Sequence, residues 1–220
     1  MKAVIFDLDG TLQSLEIDFH GLRAHLSSLF EGYGIPPMEG ALLEAVEGSL
    51  GALSARGLAG PEVQQVRCMA VHIMDSWELA SYPKARTFPG VREMLSELSS
   101  HGFKLAVQSR ACRAYVQRSL ERIGFAFDAV ASRDDVKRPK PHAEGVHMLL
   151  DRLRCDARSS FVVGDHPFDI EAGRSAGTVC IGVLTGAATE EKLVETGADA
   201  VFSSADMQMA AWIKAFNAST

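Results

Sequence analysis

Long apolar runs, clustered cysteines and dense basic patches are all missing from this sequence, and each absence closes a class of function. No apolar run approaches the roughly 20 residues of a membrane-spanning helix, so no membrane partner is expected. The four cysteines, Cys68, Cys112, Cys155 and Cys180, are scattered, with neither Cys-x-x-Cys spacing nor the histidine pattern of a zinc site. They read as reduced thiols that mostly pack. No lysine and arginine cluster is dense enough for a phosphate-backbone footprint, and a net charge of -6 would repel a polyanion. Nucleic acid is therefore excluded as a partner. Internal repeats and low-complexity tracts are also absent. Met1-Lys2 runs straight into Ala3-Val4-Ile5-Phe6-Asp7, without the longer apolar region and small-residue cleavage site of a signal peptide. A cytoplasmic location is the default expectation.

What is present is an ordinary globular composition. A charged fraction of 23% and a hydrophobic fraction of 47% suit a folded domain, and 220 residues suffice for one core, or for a core carrying a smaller insertion. Short β-branched runs at Ala3 to Leu8, Lys104 to Val107, Ala129 to Ala131, Phe161 to Val163 and Val179 to Leu184 read as buried parallel strands. Helical patterns lie between them at Val91 to Ser100, Ala111 to Ile123, Ala143 to Leu153 and Ile170 to Ala176. This alternation predicts an α/β fold with a doubly wound parallel sheet.

From Ser14 to about Lys84 only helical pieces occur, at Phe19 to Tyr33, Glu39 to Leu53 and Pro61 to Ala80. The expected organisation is an α/β core of residues 1-13 and 85-220 interrupted by an all-helical insertion of residues 14-84. Within the insertion, Met69, Met74 and Trp77 fall roughly on one helical face and read as core packing.

Ligands in an open parallel sheet bind beyond the carboxyl ends of the strands. Asp7 and Asp9 follow the first strand, Ser109 the second, and Asp165 the run Val162-Val163-Gly164, so three strands send small oxygen-bearing side chains to one edge. In Phe6-Asp7-Leu8-Asp9-Gly10-Thr11 two carboxylates flank a turn that could hold both a metal and a phosphate; a simple chain reversal at Asp9-Gly10 is the plain alternative. In Val163-Gly164-Asp165-His166-Pro167-Phe168-Asp169, Asp165 can point at a cation while Asp169 braces the site or merely suits a helix N-terminus. Lys137-Arg138-Pro139-Lys140-Pro141-His142 is a basic loop in which Lys140 can neutralise charge beside a phosphate, while Lys137 and Arg138 read as solvated.

Together these clusters resemble the four motifs of the haloacid dehalogenase-like hydrolases: Asp-x-Asp-Gly-Thr, a strand-end serine or threonine, a lysine, and Gly-Asp-x-x-x-Asp. They occur in the family's order and span nearly the whole chain. The insertion resembles the helical cap of phosphoglycolate phosphatases and β-phosphoglucomutases. The resemblance implies a Rossmann-type core and Mg²⁺-dependent hydrolysis of a small phosphorylated metabolite, of the phosphoglycolate or sugar phosphate type. It implies Asp7 as nucleophile, forming an aspartyl phosphate, and Asp9 as general acid and base. Ser109 and Lys140 would hold the phosphoryl group, Lys140 also offsetting charge. Asp7, Asp165 and the backbone carbonyl of Asp9 would ligate Mg²⁺, with Asp169 supporting that shell.

The sequence departs from the family's pattern in places. Arg110 stands where many relatives carry asparagine and is a candidate contact to the substrate phosphate or a solvated side chain. His166 reads as a surface residue, and Leu12-Gln13-Ser14-Leu15-Glu16 lacks a common Asp-Ser pair. Arg56 is a candidate cap residue reaching the substrate, or a solvated loop arginine. The acid-base aspartate favours phosphoryl transfer over dehalogenation, and the want of a clear cap lysine disfavours phosphonate chemistry. The alternatives are a phosphomutase of the β-phosphoglucomutase type and an inactive binding module on the same fold. Monomer and homodimer are not decidable from the sequence.

Overall fold

Strand β1 (Ala3–Phe6) is buried at all four residues, as expected of an apolar run with helices on both faces of its sheet. The computed structural model describes residues 1–218, and in it β1 is paired on both sides in parallel register. Ile5 stands beside Ala106 of β2 (Lys104–Gln108) and beside Val162 of β4 (Phe161–Gly164). With β3 (Ala129–Ala131), β5 (Val179–Val183) and β6 (Ala200–Phe202), the order is β3-β2-β1-β4-β5-β6, all parallel. The chain moves outward one way through β2 and β3, then returns to continue from β4. The reversal falls beside β1, the place where such sheets open a crevice at their carboxyl edge.

The chain divides into two compact units: Met1–Leu15 together with the chain from Lys84 onward, and Glu16–Pro83. The second holds α1 (Phe19–Glu31), α2 (Leu42–Ala55) and α3 (Gly60–Ser81). Each sends one stripe inward: Leu22, Leu26 and Phe30; Val46, Leu50 and Leu53; Val66, Ala70 and Met74. Those spacings of three and four residues keep one helical face towards a common core. Asp18 caps α1 by accepting the Gly21 N–H at 3.0 Å, and the Glu62 carboxylate accepts the Ala59 N–H at 3.0 Å where α3 begins.

Met69 does not share the packed face expected of it. It is 43% exposed whereas Met74 is 3% exposed. Five residues separate them, which rotates Met69 about 140° off the Met74 face at 3.6 residues per turn.

In the α/β unit, α4 (Val91–Ser100), α5 (Arg113–Ile123), α6 (Glu144–Leu153) and α7 (Pro167–Ala176) are the crossovers. Val146, Leu149 and Leu150 of α6 pack on Ala3, Ile5, Ala106 and Val162 in one face of the sheet. Helix α7 starts at Pro167, ahead of the expected Ile170, since proline suits a first turn whose N–H has no helical partner. Helix α2 starts later than the expected Glu39, because Gly40 holds a left-handed φ of +76° that no helix continues.

Beyond β5 lie elements the sequence pattern did not reveal: α8 (Glu190–Thr196), the edge strand β6, and α9 (Met207–Ala218). Among the described residues, no helix is long and apolar enough to cross a membrane.

Candidate active site

The parallel ladder carries past β1 into the site, because the Asp7 N–H still donates to the Val163 carbonyl at 2.8 Å. The chain then curls back on itself: the Leu12 and Gln13 N–H groups reach the Leu8 carbonyl at 2.9 and 3.1 Å, and the Gly10 N–H reaches the Gln13 carbonyl at 2.7 Å. Gly10 sits at a φ of +89°, a conformation costly for other residues. A side chain there would also collide, since a Cβ on Gly10 would lie 2.4 Å from the Asp165 carboxylate.

Asp165 follows β4 and is held on several sides. Thr11 donates its hydroxyl to Asp165 Oδ1 at 3.1 Å. Gly186, just past β5, packs so close that a Cβ would fall 1.7 Å from Asp165 Oδ2. Its neighbour Thr185 donates to the Gly10 carbonyl at 2.5 Å, tying the β5 end to the first loop.

Lys140 reaches the same place from the loop before α6. Its ammonium pairs with the Asp7 carboxylate, with Asp169 Oδ1 at 2.5 Å, and with the Gln108 carbonyl at 3.0 Å, which occupies its three hydrogens. The side chain is 3% exposed. Burial alone would lower the Lys140 pKa, but Asp169 and Asp7 outweigh it and hold it above the ordinary lysine value. The other carboxyl oxygen of Asp169 accepts the His166 N–H at 3.1 Å, so Asp169 links the start of α7 to Lys140.

The carboxylates of Asp7, Asp165 and Asp169 each bring an oxygen within 4.8 Å of the others. Three carboxylates against one ammonium leave two negative charges to be balanced in a buried space. Burial, followed by the repulsion of Asp169, pushes Asp165 up to about 7, against the opposing pull of Lys140 and Thr11. Burial also raises Asp7 well above the usual aspartate range; Lys140 opposes this, and Asp169 and Asp165 reinforce it. Such a hard, oxygen-only, anionic donor set fits Mg²⁺, which takes one or two protein carboxylates and completes its octahedron with other oxygens.

The remaining residues are placed as follows. Ser109 is buried at the end of β2, where its Oγ accepts the Ala111 N–H at 3.1 Å and its own N–H donates to the Ala131 carbonyl at 2.8 Å. Asp9 Oδ1 accepts from Gln13 Nε2 at 2.8 Å and from the Tyr115 hydroxyl at 2.7 Å. The Arg110 guanidinium lies 4.8 Å from the centre of the Phe168 ring. His166 is exposed. Lys137 and Arg138 give their backbone N–H groups to the Glu144 carboxylate at 2.8 and 3.2 Å. In the inserted unit, Arg56 donates to the Gly34 carbonyl at 2.5 Å and so joins two of its turns.

Thr185 and Gly186 lie just past β5, where the strand-end rule points, yet no sequence motif marks them. Gln13 and Tyr115 are likewise unmarked. Nothing local in the sequence joins them, for they lie 102 residues apart.

The model of the haloacid dehalogenase-like hydrolase family matches residues 4–183. The chain belongs to that family. Among sequence relatives of this haloacid dehalogenase-like hydrolase, pyrophosphatase PpaX of Bacillus velezensis is 32% identical over 190 residues, covering 83% of each chain. Phosphoglycolate phosphatase of Yersinia pseudotuberculosis is 29% identical over 210 residues, covering 92% of this chain and 89% of its own. A phosphonoacetaldehyde hydrolase-like protein from Oleispira antarctica shares the fold, with a TM-score of 0.70 at 18% identity over 99% of this chain and 94% of its own. This hydrolase is an enzyme of the phosphoric monoester hydrolase class.

Proposed function

We propose that the protein is a Mg²⁺-dependent phosphatase of a small phosphorylated metabolite, working through an aspartyl phosphate on Asp7. The observation that carries this reading is the cluster of three carboxylates around one buried ammonium, two charges short of balance. A dianionic phosphoryl group would deepen that deficit, and a divalent cation would offset it.

Asp7, Asp165 and the backbone carbonyl of Asp9 would hold Mg²⁺, with Asp169 supporting them. When bound, the ion supplies positive charge to the phosphoryl oxygens. Lys140 keeps the Asp7 carboxylate aimed from below and keeps its own proton, while the Ser109 hydroxyl would donate to a phosphoryl oxygen. An Asp7 carboxylate oxygen forms a bond to phosphorus as the bond to the leaving oxygen breaks. That oxygen keeps the electron pair and takes a proton from Asp9. A water oxygen then attacks the phosphorus and gives a proton to Asp9, and the electron pair of the Asp7–phosphorus bond returns to the carboxylate.

The inserted unit, Glu16–Pro83, would act as the cap that selects the substrate. It contains no lysine, so it offers no amine for Schiff-base chemistry on a phosphonate. Relatives named for phosphoglycolate and for N-acetylmuramic acid 6-phosphate support a substrate of the hydroxy-acid or sugar phosphate type. A panel of metabolite phosphates, assayed for phosphate release with and without Mg²⁺, tests the reading. Release that needs Mg²⁺ and vanishes in Asp7→Asn supports it. Equal release by Asp7→Asn, or an isomerised sugar phosphate with little free phosphate, overturns it.

A further inference from the structure

Asp9 is not left to orient itself. Both Gln13 Nε2 and the Tyr115 hydroxyl end on the same oxygen, Oδ1, at 2.8 and 2.7 Å. Gln13 and Tyr115 are fully buried, at 0% exposure each. They come from different elements, Gln13 from the loop that follows Asp9 and Tyr115 from the first turns of α5. Ser119, one turn further along α5, meets the same Gln13 nitrogen at 3.0 Å. The two amide hydrogens of Gln13 can serve Asp9 and Ser119, and the Tyr115 hydroxyl serves Asp9.

Gln13 Oε1 is buried with no hydrogen-bond partner among the described residues. Leaving a buried acceptor unpaired is unfavourable, since it gives up its bonds to water and gains none in return. Turning the amide over would let Oε1 accept from the Ser119 hydroxyl, but it would also set Oε1 against the carboxylate oxygen of Asp9, acceptor against acceptor. The fold thus tolerates an unsatisfied atom at the one orientation that aims a donor at Asp9, a local sacrifice typical of functional sites.

We propose that Gln13 and Tyr115 are positioning residues for the proposed acid-base aspartate. They fix the rotation of the Asp9 carboxylate through Oδ1, and with it the direction in which the carboxyl exchanges a proton with the leaving oxygen and the attacking water. The inference rests on the phosphatase reading above and adds to it which residues aim the proton donor.

The test compares kcat/KM for two phosphate monoesters, an alkyl phosphate whose leaving oxygen needs a proton and an aryl phosphate with a good leaving group that does not. Asp9→Asn serves as reference and loses on the order of 10²–10⁴-fold for the alkyl ester with a far smaller loss for the aryl ester, as removal of a general acid requires. Gln13→Met and Tyr115→Phe, which keep side-chain size, each lower the alkyl-to-aryl ratio of kcat/KM by about tenfold, because a misaimed donor loses part of the same contribution. Unchanged ratios in both variants, with Asp9→Asn still selective, overturn the positioning role alone. An unselective Asp9→Asn overturns the acid-base reading and the positioning role with it. Should Gln13→Met fail to fold, Tyr115→Phe decides by itself, since it removes one hydroxyl from an intact ring.

Discussion

Lys140 and Asp7 stand 133 residues apart in sequence and meet as a buried ion pair, with the same ammonium also bonded to Asp169 and to the Gln108 carbonyl. One lysine therefore joins the end of β1, the end of β2 and the first turn of α7 at a single point. Removing it leaves two buried carboxylates facing each other. Lys140→Met is expected to lower stability by about 3 kcal/mol, the scale for breaking a buried pair from one side. Adding Asp169→Asn to that variant should recover part of the loss, which urea unfolding of the two single variants and the double variant will measure. Activity should stay lost in both, since neither restores the charge beside Asp7.

Asp165 gives the site a pH signature. In the folded, cation-free protein its pKa is pushed up to about 7, whereas in an unfolded chain aspartate titrates at about 3.9. Between those values the folded state holds a proton that the unfolded state has released, so the stability this group contributes is complete at low pH and lost as pH rises through about 7. Asp165→Asn cannot titrate. Without divalent cation, the variant is expected to gain on wild type by a few kcal/mol, on the order of the pKa shift, as pH goes from about 5 to about 8. Thermal melts of both proteins across that range check it. Mg²⁺ should raise the wild-type melting temperature chiefly at the alkaline end and move Asp165→Asn little.

Gly186 makes a sharper steric case than Gly10, because it carries no left-handed φ to confuse the outcome. A Cβ there meets Asp165 Oδ2 at 1.7 Å, so the carboxylate has to move. Gly186→Ala should raise the Mg²⁺ concentration needed for half-maximal activity by about tenfold, the scale seen when the support of a metal ligand is disturbed. Metal titration of the initial rate will show it.

Gly48 and Gly51 sit exposed inside α2, and a Cβ at either would meet nothing within 4 Å. Alanine at each should stabilise the protein by about 0.5–1 kcal/mol, through the lower chain entropy lost on forming the helix. Denaturant midpoints measure this, and phosphatase activity should be unaltered.

These residues also show what a sequence can disclose. Asp7, Asp9, Ser109 and Asp165 stood out as candidates because they follow apolar strands whose ends the sheet order brings to one edge; Asp169 stood out near a helix start and Lys140 in a basic loop, both by their match to the family's motifs. Strands β1 to β5 were legible from their short apolar runs, although β3 lies at one edge of the sheet. β6 was not, because its three residues, apolar but only half-buried, form a run too short to stand out beyond β5. Gln13 and Tyr115 escaped for a different reason. Their relation to Asp9 is a hydrogen bond made by tertiary packing of α5, and no periodicity records it. Met69 misled because methionine and tryptophan in one helix suggested a shared face, whereas Val66, Ala70 and Met74 mark the packed one.

The most direct test of the account is to stop the enzyme with acid during turnover of a hydrolysed metabolite phosphate and weigh its peptides. A phosphoryl-sized mass increment is expected on the peptide containing Asp7, abolished in Asp7→Asn and accumulated in a variant that forms but slowly hydrolyses the intermediate. Turnover in which the Asp7 peptide never gains that mass, or in which the increment sits on another residue, would contradict it.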